Sequence, residues 1–117
     1  MTMDAGEYQQ AAARTLIEGP GFEIPDQEIM AVWEALGLAG EAGEVADLIK
    51  KGVFHRHGID RARLEEELGD TLWYLSALAS TLGLDLSAIM HANIEKLKIR
   101  YPHGFSSQDS RRRVDQA

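Results

Sequence analysis

Two short acidic motifs constrain this chain more than any other feature: Glu41-x-x-Glu44 and, 26 positions further on, Glu67-x-x-Asp70. Each lies in a segment with helical periodicity, and in a helix residues i and i+3 stand about 60° apart on one face. Two such helices packed side by side bring four carboxylates together. Like charges in a partly desolvated site raise one another's pKa or drive the segments apart, so the arrangement calls for a neutralising cation. Oxygen-only donors favour a hard divalent ion, Mg2+, Mn2+ or Ca2+, over zinc or copper.

The surrounding periodicity predicts an all-α bundle of four helices without strands. The first runs from about Asp4 to Glu18, with Tyr8, Ala12, Leu16 and Ile17 on its apolar side. GPGFEIPD, residues 19–26, breaks it, because proline removes a donor and glycine permits turns; the segment reads either as a linker or as a lip over a ligand site. The second helix spans about Gln27 to Lys51, and Met30, Leu38, Val45 and Leu48 share a narrow sector with Glu41 at its middle. A carboxylate on an apolar stripe is costly unless something pairs with it, which makes Glu41 the most diagnostic of the four acids. Gly37, Gly40 and Gly43 each lower helicity by roughly 1 kcal/mol relative to alanine, pointing to close packing, ligand access or a local kink.

Asp60 is a natural N-cap for a third helix whose buried stripe is Leu64, Leu68, Leu75 and Leu82. Glu67 and Asp70 lie on its shoulder, Tyr74 follows one turn after Asp70, and Glu65 and Glu66 read as helix-start charges that favour the macrodipole. Asp85 caps a fourth helix, apolar along Leu86, Ile89, Met90, Ile94, Leu97 and Tyr101, with Asn93, Lys96 and Arg100 forming a polar row. Pro102 ends the pattern. Residues 1–105 form a single domain, and 106–117 read as a flexible tail in which Arg111, Arg112 and Arg113 are a solvated run. Helices this apolar leave a lone bundle with uncovered surface, so completion by homo-oligomerisation is expected.

Composition narrows the chemistry. The chain has no cysteine, which excludes disulfides, thiolate zinc sites and cysteine nucleophiles. A formal charge of −7 argues against partners such as nucleic-acid polymers or anionic membranes, which need a basic surface. Neither a transmembrane run nor a signal-peptide pattern is present, so a cytoplasmic location is the expectation. His55 and His57 lack a third ligand in sequence, Lys50 and Lys51 suit the C-terminal dipole of the second helix, and Trp33 and Trp73 fall away from the carboxylate faces, as expected of subunit contacts.

The blocks LGLAGEAGEVADLIKK, EELGDTLWYLSALA and ANIEKLKIRYPHGF, in that order over roughly residues 28–106, resemble the MazG-like family of all-α nucleoside triphosphate pyrophosphohydrolases. The resemblance implies a Mg2+-dependent dimer or tetramer, with Mn2+ a possible substitute. It implies cleavage of a nucleoside triphosphate substrate between the α and β phosphates to the monophosphate and pyrophosphate, in nucleotide-pool sanitation. It assigns Glu41, Glu44, Glu67 and Asp70 to metal binding and catalysis, and Tyr74, Asn93, Lys96 and Arg100 to the substrate. Glu44, Glu66 and Glu34 remain open as the carboxylate that activates water. Alternatives are a phosphoribosyl-ATP pyrophosphohydrolase of histidine synthesis, which would use the same acidic pattern, and a non-catalytic helical module that binds nucleotide or a partner.

Overall fold

The computed structural model of the protein describes residues 2–16 and 23–116; Ile17 and Glu18 of the expected first helix, and residues 19–22 of the GPGFEIPD segment, lie outside the described residues. Among the described residues the chain is all-α. Helix α1 spans Ala5–Ala13 and opens on a capping box, in which Asp4 accepts from the Glu7 amide at 2.8 Å and Glu7 accepts from the Asp4 amide at 3.2 Å. It stops short of the expected end because the amides of Arg14, Thr15 and Leu16 bond to carbonyls three residues back, a 3-10 pattern that tightens the last turn.

Helix α2, Asp26–Phe54, is 29 residues long. Helix α3, Arg61–Thr81, starts at the expected cap, Asp60, whose side chain accepts from the Arg63 amide. It ends in a Schellman motif: Gly83, at φ +69°, donates to Ser80 O, and Leu84 donates to Ala79 O at 2.8 Å. Helix α4, Leu86–Arg100, is capped by Asp85 as expected. Its axis turns 108° from that of α3, so it does not fold back along α3 as a closed bundle would require. No single helix among the described residues is long and apolar enough to cross a membrane.

The α2–α3 seam is the main packing interface, and α4 touches α3 only lightly. Contacts run antiparallel along it, from Gln27 and Glu34 against Thr81, through Gly37 against Tyr74, to Lys51 and Arg63 at the far end. Gly37 is where the helices come closest: a β-carbon there would lie 2.2 Å from Tyr74 Cε1. The Tyr74 ring is held edge-on by Trp33 and Trp73, with centroids at 6.0 and 5.0 Å. Of the three glycines singled out in sequence, only Gly37 serves packing within the chain; Gly40 and Gly43 face open space.

The apolar stripes are largely uncovered. Leu68, Leu75 and Leu82 on α3, Met30 on α2, and Met90 and Ile94 on α4 are exposed, contrary to the buried core their spacing predicts. The radius of gyration is 20.5 Å, against about 13 Å for a compact chain of this length. The reason is geometric: a helix pair with a third helix turned aside has one packed seam and several free apolar faces. Among the described residues only Ala79 (5% exposed) and Glu34 (2%) are buried.

The C-terminal segment, expected to be a loose tail, forms a short helix α5, Ser107–Arg112, and a 3-10 turn, Val114–Gln116. Arg113 takes the left-handed conformation, φ 48°, and reverses the chain so that the turn packs on α4. Asp115, whose side chain is 1% exposed, accepts two bonds from Arg100 Nε and Nη2, both at 2.8 Å, and Arg113 Nε stands 3.7 Å away. The Arg100 guanidinium, ahead of the cost of burial, holds the Asp115 carboxyl down at about 2. Arg113 is therefore not part of a solvated run.

Two outcomes test this packing. Gly37→Ala gains about 1 kcal/mol of helix propensity, but overpacking against a ring wedged between two tryptophans costs about 1–3 kcal/mol, and a net loss is expected in urea unfolding. Adding Tyr74→Ala to it should give less than the sum of the two losses. The Asp115 pair stabilises the turn above the ordinary aspartate value of 3.8 and is lost as pH falls towards about 2. Hydrogen exchange in 113–116 should accelerate over that window, and Asp115→Asn should show the faster exchange already at neutral pH.

Candidate functional site

Midway along the seam, Glu41 from α2 faces Glu67 and Asp70 from α3. One carboxylate oxygen from each lies within 4.8 Å of the other two. Glu41 and Glu67 are half-buried and Asp70 is exposed, so the cluster opens to solvent on the Asp70 side. Their helical register explains the gathering: i, i+3 spacing turns Glu67 and Asp70 to one face of α3, and the antiparallel seam sets Glu41 opposite.

The electrostatics are unbalanced. Oε2 of Glu41 and Oε2 of Glu67 are buried without a hydrogen-bond partner. Contact with Glu41, which two carboxylates can make as a hydrogen bond only if one carries a proton, is the main cause that raises the Glu67 carboxyl above its ordinary value. Burial and the charge of Asp70 push the same way, while contact with Glu44 opposes them. Two orphaned buried oxygens among all-oxygen donors fit a hard divalent cation, which would satisfy both and remove the repulsion.

The structure thus brings together Glu41, Glu67 and Asp70, and sets Glu44 beside Glu67 at an exposed rim. Tyr74 lies on the seam against Gly37. Asn93 and Lys96 are exposed on α4, where they line a shallow hollow with Ile89 and Ala92, apart from the carboxylates. Arg100 is only 14% exposed at its side chain and is taken up by Asp115. Glu34 is buried and engaged elsewhere: the single proton of the Thr81 hydroxyl is shared between its two carboxylate oxygens. It also stands two turns, about 10 Å, along α2 from Glu41. Glu65 and Glu66 are exposed and fall beyond the first turn of α3, past the reach of its dipole.

Sequence reasoning did not find the cleft that continues from the cluster towards the α2–α3 loop. It is lined by Glu44, Asp47, Leu48, Lys51 and Arg63, and beyond them by Gly52, His57, Gly58 and Asp60. Lys51, in the last turn of α2 where it suits the helix dipole, also pairs with Asp47 at 2.8 Å and faces this cleft. The i, i+4 spacing of Arg63 and Glu67 was the available signal.

Residues 34–105, which include every member of the cluster, match the family model described as the MazG nucleotide pyrophosphohydrolase domain. The chain belongs to the MazG nucleotide pyrophosphohydrolase family. It is 38% identical to Gene 37 protein of Mycobacterium phage L5 over 101 residues, covering 83% of this chain and 88% of that protein. It is 35% identical to human dCTP pyrophosphatase 1 over 83 residues, 66% of this chain but 49% of the human protein. The rat protein of the same name is 37% identical over 73 residues, 57% of this chain and 43% of its own length. The chain thus spans about half the length of the dCTP pyrophosphatases it matches. No solved structure matches it. As a MazG-family member the chain is an enzyme, a nucleotide pyrophosphohydrolase.

The raised Glu67 carboxyl has a testable sign. With the folded value above the ordinary glutamate value of 4.5, the cluster is best tolerated below 4.5, and stability is lost as pH rises through the folded value. In chelator, the melting temperature should therefore fall as pH rises above 4.5. Glu67→Gln should flatten that slope, and so should millimolar Mg2+ in the wild type.

Proposed function

We propose that the protein is a Mg2+-dependent pyrophosphohydrolase of nucleoside triphosphates, deoxy forms included, yielding the monophosphate and pyrophosphate. The observation that carries this reading is the cluster of Glu41, Glu67 and Asp70 with two buried oxygens left without partners. Glu41, Glu67 and Asp70, with Glu44 at the rim, would hold the metal, which when bound neutralises phosphate charge and lowers the pKa of water. Water oxygen forms a bond to the α phosphorus as the bond from that phosphorus to the α–β bridging oxygen breaks. The electron pair leaves with pyrophosphate.

The proton given up by the water needs a carboxylate with a solvent route. Glu44 is exposed and touches Glu67, whereas Glu34 is buried and bonded, so Glu44 takes that role in this reading. The names of the human and rat relatives place dCTP in any substrate panel.

The working form is a homo-oligomer in the same proposal. Trp33, Leu36, Leu72 and Trp73 are exposed beside the packed Tyr74, a surface that a second copy would cover. Asn93 and Lys96, which stand apart from the carboxylates in one chain, would reach substrate across such an interface.

Incubation with Mg2+ and a panel of canonical, deoxy and modified triphosphates, with phosphoribosyl-ATP beside them, should release monophosphate and pyrophosphate from at least one nucleoside triphosphate. Glu41→Gln should lower kcat by about 100-fold or more with circular dichroism unchanged, because it removes a charge and keeps the volume. Orthophosphate as the product, or full activity in Glu41→Gln, would overturn the assignment.

A further inference from the structure

Glu34 takes no part in the carboxylate cluster, yet among the described residues it is the one acid buried as a whole residue, at 2% exposed. Its two oxygens share the hydroxyl of Thr81, the last residue of α3, and Gln27 Nε2 donates to the carbonyl of the same threonine. Two side chains of α2 therefore converge on one residue of α3. A buried carboxylate served by a single hydroxyl contributes little to stability compared with an apolar side chain of similar size. What such a pair does supply is direction, because the acid must find its donor and no other alignment of the helices offers one.

The spacing shows what that direction controls. Glu34 precedes Glu41 by seven residues, and Thr81 follows Tyr74 by seven and Glu67 by fourteen. Seven residues are two turns, about 10 Å, so these side chains leave each helix on one face. Along the antiparallel seam Glu34 meets Thr81, Gly37 meets Tyr74, and Glu41 meets Glu67 and Asp70. The aromatic contact does not fix this register alone. Gly40 stands one turn beyond Gly37 with open space around it, a second bare seat for the Tyr74 ring. A slip of one turn onto it would carry Glu67 from Glu41 towards Glu44, and would strand Glu34 in the seam without Thr81. We propose that Glu34 is a positioning residue: through Thr81 it fixes the register of α2 against α3 and so holds Glu41 opposite Glu67 and Asp70 at the spacing a divalent cation needs. The proposal rests on the metal reading above and goes beyond it, since Glu34 touches neither metal nor water.

Mn2+ titrated into the full chain, with the free ion read by electron paramagnetic resonance, reports the carboxylate spacing without turnover. Thr81→Val keeps the shape and removes the hydroxyl; it should weaken Mn2+ binding by about tenfold, as loss of a group that orients metal ligands does, and Thr81→Ser should restore most of it. The combination of Glu34→Leu with Thr81→Val separates positioning from stability. With both partners apolar no charge is stranded, so the melting temperature should return to the wild-type value or above. Mn2+ affinity should nevertheless stay about tenfold low, because nothing then selects the register. This double variant also carries the measurement should Thr81→Val not fold. Wild-type Mn2+ affinity in the double variant, or in folded Thr81→Val, overturns the proposal. A readout without metal keeps it distinct from the metal reading. The chain has no cysteine, so Glu41→Cys with Glu67→Cys supplies the only two thiols. A short bismaleimide should link them, and several-fold more slowly once Glu34→Leu and Thr81→Val are added. Slower linking beside a wild type that binds no Mn2+ supports the register role and overturns the metal site; unchanged linking overturns the register role whatever the metal does.

Discussion

Like charge placed across a helix seam is the constraint on which the rest of this structure depends. Glu41 and Glu67 meet where two helices pack, and each leaves a buried oxygen without a partner. Such an arrangement persists only if the seam is held elsewhere and the repulsion is relieved by a cation. The first condition is met by neighbouring residues. At one end Thr81 bonds Glu34, Gln27 bonds the Thr81 carbonyl, and Tyr74 packs against Gly37. At the other end the packing opens into a cleft rather than closing. The seam is thus clamped beside the aromatic residues and open beside the cations.

A second consequence follows from how little else is packed. With α4 turned aside by 108°, the apolar faces of α2, α3 and α4 remain exposed in a single chain. The most buried residue among those described is an acid, Glu34, whose carboxylate accepts from one threonine hydroxyl. A buried polar contact of this kind specifies register: sliding α2 against α3 by one turn would strand the carboxylate without a donor. The position of Glu41 opposite Glu67 thus depends on a bond made two turns away.

Much of this was legible in the sequence. Asp4, Asp60 and Asp85 announce helix starts because capping is local, needing only a short acceptor side chain and the next few amides. Glu41 stood out as a charge on an apolar stripe, and it does lie on the packed seam. The C-terminal turn was not legible. It depends on Arg113 adopting a left-handed conformation and on Asp115 reaching Arg100 across 15 residues, and neither leaves a periodic trace. The predicted burial of Leu68, Leu75 and Leu82 also differs from the structure, because periodicity marks the face a helix offers without saying what covers it.

The sequence by itself determined helices α1–α4, the caps at Asp60 and Asp85, the acidic pairs and the family, since these rest on local spacing and on blocks of residues in order. Only the tertiary structure decided which acids meet, that Glu34 is occupied by Thr81 and Arg100 by Asp115, and that Lys51 and Arg63 share a cleft beside the cluster. The physical reason is range. Capping and periodicity act over a few residues, whereas repulsion between carboxylates and the pairing of arginine with aspartate depend on distances that only the packing of one helix against another sets.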